Sequence, residues 1–181
     1  MTTAGALRNV VVRKSVRLFL LGVPTIAGLV FAVSPPAKAS VPVYVKEAYA
    51  SYRVGAPTIG LYDPVQQTTD GRLIIQSFTS AGHLLLMFNA DTSKCVAASN
   101  SGDLAVVHPC NGGSGVVWIP HTGPDGVSCE FESQKFDNKY LAGDGSNGDQ
   151  FHVKGLGASG WYYQFRILNQ NGTEVRSCPP S

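Results

Sequence analysis

The chain nearly repeats itself. Ser93-Lys94-Cys95-Val96-Ala97-Ala98 runs on through Gly102-Asp103-Leu104-Ala105-Val106-Val107 to Val117-Trp118-Ile119. Later, Asn138-Lys139-Tyr140-Leu141-Ala142-Gly143 runs on through Gly148-Asp149-Gln150-Phe151-His152-Val153 to Gln164-Phe165-Arg166-Ile167. The offset is 45 residues at the lysines, 46 at the Gly-Asp pairs and 47 at the aromatic ends. Turns absorb a drift of one residue per segment while strands keep their register. Self-similarity at this period requires a fold assembled from copies of one supersecondary unit.

The units are made of strands. Phe151 and Val153 alternate with Gln150, His152 and Lys154; Tyr163, Phe165 and Ile167 alternate with Gln164 and Arg166; Cys129 and Phe131 alternate with Glu130 and Glu132. Period two is the strand signal. Turn pairs such as Asp70-Gly71, Asn147-Gly148 and Asn171-Gly172 fall between the runs, and no helical period follows residue 39, so the class is all-β. A fainter third copy is expected upstream. It opens at Leu61-Tyr62-Asp63, matches Asp70-Gly71-Arg72-Leu73-Ile74-Ile75 to the Gly102-Asp103 segment, and closes at Leu85-Leu86-Met87-Phe88. Three copies build a closed three-fold barrel, which leaves no sheet edge. Phe88, Trp118 and Phe165 are its expected aromatic core. Residues 40–57 fit no copy and are read as an N-terminal arm or a first strand, with the domain proper over 58–181.

The first 39 residues read as a secretory signal peptide. Arg8, Arg13, Lys14 and Arg17 precede an apolar run from Leu18 to Val33, and Ala37-Lys38-Ala39 is a small-x-small cleavage pattern. The run is 16 residues long and contains Pro24, short of the roughly 20 that a spanning helix needs. The remainder carries nine basic and twelve acidic residues, a net charge of −3. Without a basic patch, nucleic acid has no electrostatic handle, and no stable membrane insertion is expected once the leader is gone. Four cysteines in an exported chain imply disulfides. The repeat pairs Cys95, which opens a unit, with Cys110, which closes its hairpin, and leaves Cys129 with Cys178.

Lys94-Cys95-Val96, Gly102, Val106-Val107, Pro109-Cys110-Asn111-Gly112 and Trp118 resemble the repeat of ricin B-type lectins, which are β-trefoils. The resemblance covers residues 93–119 well, 138–167 less well and 58–89 weakly. It implies a secreted, non-catalytic module that binds carbohydrate or glycoconjugate. In sugar-binding members an Asp two residues after the first Cys accepts bonds from sugar hydroxyls. A ring just before the Pro-Cys pair stacks on the sugar, and the Gln of Q-x-W completes the site. Here Ala97, His108 and Val116 hold those positions in the middle copy, and Ala142 and Tyr163 hold the acidic and Gln positions in the last. Loss of a charged partner removes about 1.5–3 kcal/mol per hydrogen bond, so both sites are expected to be degenerate.

In the first copy Asp63 takes the acidic position, with Phe78 as the ring and Gln76 or His83 as polar partner. Trp161 and Tyr162 are the other candidate stacking residues. The competing function is a secreted trefoil that binds a protein, as an inhibitor or interaction module. His83, His108, His121 and His152 share no metal-ligand spacing. The run from Asp144 to Asp149 reads as a polar hairpin turn rather than a calcium loop, because it lacks the downstream Glu. No nucleophile elbow, HExxH or P-loop is present, so neither enzyme chemistry nor a cofactor is expected.

Overall fold

A ring of three main-chain hydrogen bonds marks the symmetry axis. Val65 N–H donates to Ala105 C=O (3.1 Å), Ala105 N–H to Phe151 C=O (2.8 Å), and Phe151 N–H to Val65 C=O (2.7 Å). All three residues are fully buried. This computed structural model describes residues 41–79, 81–111, 113–176 and 178. The proposed signal peptide over residues 1–39 lies outside them.

Each unit supplies four strands. The first holds β1 (Tyr44–Glu47), β2 (Arg53–Gly55), β3 (Gln66–Thr68) and β4 (Ile74–Phe78). The second holds β5 (Leu84–Phe88), β6 (Asp91–Ala98), β7 (Ala105–Pro109) and β8 (Val117–Thr122). The third holds β9 (Cys129–Ser133), β10 (Lys139–Ala142), β11 (His152–Gly155) and β12 (Phe165–Leu168); β13 (Glu174–Arg176) adds to β12. The outer strands of every unit close a barrel in the order β1-β12-β9-β8-β5-β4. The last seam, β4 to β1, is the Val43–Ile74 bridge, with hydrogen bonds of 2.9 and 2.7 Å. The inner pairs β2-β3, β6-β7 and β10-β11 are hairpins, and the strands entering β3, β7 and β11 meet at the axis.

Register makes the units comparable residue by residue. Val43 faces Ile74, Leu84 faces Trp118, and Cys129 faces Phe165. Two residues further along the first strands stand Val45, Leu86 and Phe131, all fully buried. This register decides one alternative and corrects one expectation. Residues 44–55 are the first two strands of unit one, so of the two readings of residues 40–57 the strand holds over the arm, and the first unit begins before residue 58. Phe88 is not the counterpart of Trp118 and Phe165. It lies on β5 facing Ile74, which is the true counterpart. Phe131 and Phe151 pack on Phe165 at centroid distances of 5.5 and 5.9 Å, so the aromatic cluster is concentrated in unit three.

Cys95 and Cys110 form the expected bridge across the mouth of the β6-β7 hairpin. Cys129 and Cys178 are not bridged. They are buried neighbours in hydrogen-bond contact, and Cys178 Sγ also donates to His121 C=O at 3.3 Å. No helix among the described residues is long and apolar enough to cross a membrane.

Candidate functional site

The residue two positions after the unit-opening cysteine, and its counterparts, can now be assigned from pairing. Gly55 faces Gln66, Ala97 faces Val106, and Ala142 faces His152. A cleft can form beside each of these pairs, and the three units treat it differently.

In unit two the cleft is open and preformed, with a volume of about 200 Å³. Ala97, Val106 and Val116 make its apolar wall; Ser99, Asn100, His108 and Lys135 bring polar atoms to it. Lys135 Nζ donates to Asn100 Oδ1 at 3.0 Å. No carboxylate lines the cleft. Its remaining wall comes from the neighbouring unit: Tyr62, 63% exposed, meets the His108 ring edge-on at 5.4 Å. Tyr62 has φ 65°, and its counterparts Gly102 and Gly148 have φ 70° and 86°. Each sits three residues before the axis, in the turn that crosses to the next unit. Tyr62 N–H donates to Val107 C=O (2.8 Å) as Gly148 N–H donates to Gln67 C=O (2.7 Å). Left-handed backbone is natural for glycine and strained for tyrosine. Such strain persists where the side chain is needed.

In unit one the equivalent cleft is about 370 Å³, lined by Ala56, Pro57, Thr68, Asp70, Gly71 and Arg72. Arg72 lies across it, its guanidinium donating to Ala56 C=O (3.0 Å) and Pro57 C=O (3.1 Å). In unit three the cleft is filled. The Trp161 ring sits 4.6 Å from the His152 ring and 5.2 Å from Lys154 Nζ. Tyr163 locks the loop beneath by donating to Gly155 C=O (2.7 Å) and accepting from Ala158 N–H (3.1 Å). Burial, and then the Lys154 ammonium, hold the His152 imidazole below its ordinary pKa.

No protein-family model and no curated protein matches the chain. Solved structures do. A mosquitocidal holotoxin superposes with a TM-score of 0.65 at 13% identity, over 77% of this chain and 18% of its own. A designed 3-fold symmetric protein, ThreeFoil, superposes at 0.61 and 13% identity, over 71% and 98%. A GH43 β-1,3-galactosidase superposes at 0.58 and 14% identity, over 75% and 29%. The fold is a β-trefoil. The chain spans under a third of the holotoxin and of the galactosidase, and nearly all of ThreeFoil.

The trefoil register revises the expected site. Gly55, not Asp63, is the counterpart of Ala97, so no unit carries an acidic residue there. Asp63 is the counterpart of Asp103 and Asp149. Its carboxylate is committed to its own turn, accepting from Thr58 Oγ1 and from Gly60 N–H. Gln76, Phe78 and His83 lie on the β4-β5 hairpin of the barrel, away from any cap cleft. Gln76 Nε2 is buried without a partner, Phe78 is 48% exposed, and His83 Nδ1 accepts from Gln134 Nε2 at 3.2 Å. None of the described cavities brings these three together with Asp63. Trp161 and Tyr162 do sit together at a surface groove. Asp144 Oδ1 accepts from Gln67 Nε2 (2.8 Å) and Ser146 N–H (2.9 Å), which makes its loop a braced turn. Sequence reading missed Tyr62 as a wall of the unit-two cleft. The signal was present: an Asp followed two residues later by a buried apolar residue recurs at 63, 103 and 149, and only the first is preceded by a residue other than glycine.

Proposed function

We propose that the chain is a secreted, non-catalytic carbohydrate-binding module of the ricin B-type lectin kind, and that its ligand seats in the unit-two cleft. One observation carries this reading: Tyr62 holds a strained backbone to put an exposed ring against His108 over an apolar floor. A ring beside a small apolar cleft suits the C–H face of a pyranose. Ser99, Asn100 and His108 can exchange hydrogen bonds with its hydroxyls. Without a carboxylate, the site lacks the strong charge-assisted bonds of such lectins, so affinity is expected in the millimolar range. A solved neighbour described as a galactosidase agrees with a trefoil working alongside sugars.

Substituting Tyr62 separates function from folding. Tyr62→Gly should raise stability by about 1 kcal/mol by relieving the backbone. It should also weaken glycan binding at least tenfold. A glycan array followed by calorimetry reads the second effect, and a urea melt the first. Binding that survives the substitution, or no binding of any glycan at millimolar concentration, rules out the cleft as a sugar site.

Export has its own test. In an oxidising compartment the touching thiols of Cys129 and Cys178 should close a second bridge. Intact-mass analysis of the native chain after thiol alkylation should then find no free thiol. Two alkylated cysteines would contradict secretion.

A further inference from the structure

A second groove, of about 300 Å³, is shaped in part by the segment preceding β12. Tyr49 from the β1-β2 turn, Leu156 after β11, and Trp161 and Tyr162 before β12 give it an apolar, largely aromatic lining. Tyr49, Leu156 and Tyr162 are 64%, 55% and 39% exposed, an unusual concentration of uncovered apolar surface for one spot. Against these walls stand Glu130 of β9 and Gln164.

The one carboxylate lining the groove is Glu130. Glu130 is 8% exposed, and the Gln164 amide nitrogen is turned toward its carboxylate. Gln164 Oε1 is enclosed and has no hydrogen-bond partner. No basic side chain lines the groove. Asp125, a carboxylate that also bears on Glu130, is itself paired with Arg166 at 2.8 Å and so leaves Glu130 as the acid the groove offers. A buried acceptor without a donor is costly, and a recessed carboxylate gains most from an ionised donor. Aromatic faces accept cations as well as C–H groups, and the Trp161 ring already takes Lys154 at 5.2 Å.

We infer that this groove binds a protonated amine carried on an apolar frame, with an amino sugar as the ligand class that fits both its carboxylate and its rings. The ammonium lies against the Glu130 carboxylate, and the carbon frame lies against Tyr49 and Tyr162. The site is separate from the unit-two cleft, so either can fail without the other.

Calorimetric titration of the intact chain with glucosamine, N-acetylglucosamine and n-butylamine tests the inference. Glucosamine should bind, with N-acetylglucosamine at least tenfold weaker because acetylation removes the charge. Butylamine binding as tightly as glucosamine also supports the site and makes a lysine side chain its source of amine. Glu130→Gln should weaken glucosamine at least tenfold with an unchanged circular dichroism spectrum. Tyr49→Ala, at an exposed position that folding does not need, should weaken it several-fold and guards against a misfolded Glu130 variant. Equal affinity for glucosamine and N-acetylglucosamine, undiminished binding in both variants, or no binding of either amine overturns the inference.

Discussion

Replacing Glu47 by glutamine should stabilise the chain by about 3 kcal/mol at pH 8 and hardly at all at pH 4. Glu47 is fully buried, and neither carboxylate oxygen has a hydrogen-bond partner. Burial, with the nearby Asp144 charge adding to it, pushes its pKa from 4.5 to about 7. Below pH 4.5 the folded and unfolded chains both hold the proton. Between 4.5 and 7 the unfolded chain has released it and the folded chain has not, so stability falls as pH rises through that window. Above pH 7 the full penalty is in place. Glutamine keeps the shape and cannot ionise, so urea melts of the two proteins should coincide in acid and diverge by pH 8. Carboxylates not coupled to Glu47, such as Asp125 held down to about 2 by the Ser128 and Val127 amides, titrate alike in both proteins and cancel. A constant difference between the melts across pH 4 to 8 would show that Glu47 is not the group responsible.

Trp118→Ala should cost about 3–5 kcal/mol. The indole is fully buried, and its N–H donates to Val96 C=O at 2.9 Å, tying β8 of the barrel to β6 of the hairpin. Truncation leaves both a cavity and an orphaned carbonyl. Trp118→Phe refills most of the volume but not the bond, so its loss of about 1–3 kcal/mol isolates the unsatisfied acceptor. A urea melt reads both variants. A loss below 1 kcal/mol for Trp118→Ala would mean that this residue does not hold the second unit together.

The pseudo-symmetry was readable where side chains obey it and hidden where they do not. Units two and three place Val107 and Val153 at one buried hairpin position, and a Gly-Asp pair before the axis; these set the period. Unit one places Gln67 there, fully buried but polar, and begins its pair with Tyr62. At the end of the first barrel strand it has Glu47 where the others have Phe88 and Ser133. At those two positions the buried pattern of unit one lacks an apolar signature, and Asp70-Gly71 imitated the missing Gly-Asp pair. That false anchor shifted the first copy forward, detached β1 and β2, and carried Asp63, Gln76, Phe78 and His83 into a site they do not form. The alternation of β9 sets Glu130 opposite Cys129 and Phe131, yet all three are buried, which a period-two pattern does not record.

The axis itself is closed by peptide groups alone, through Val65, Ala105 and Phe151. A joint made of main chain is indifferent to which side chains surround it. One sector could line its cleft with alanine and valine, another could plug its cleft with Trp161, and a third could bridge its cleft with an arginine, without loosening the assembly. Inheritance of architecture and inheritance of ligand are thereby uncoupled within a single polypeptide.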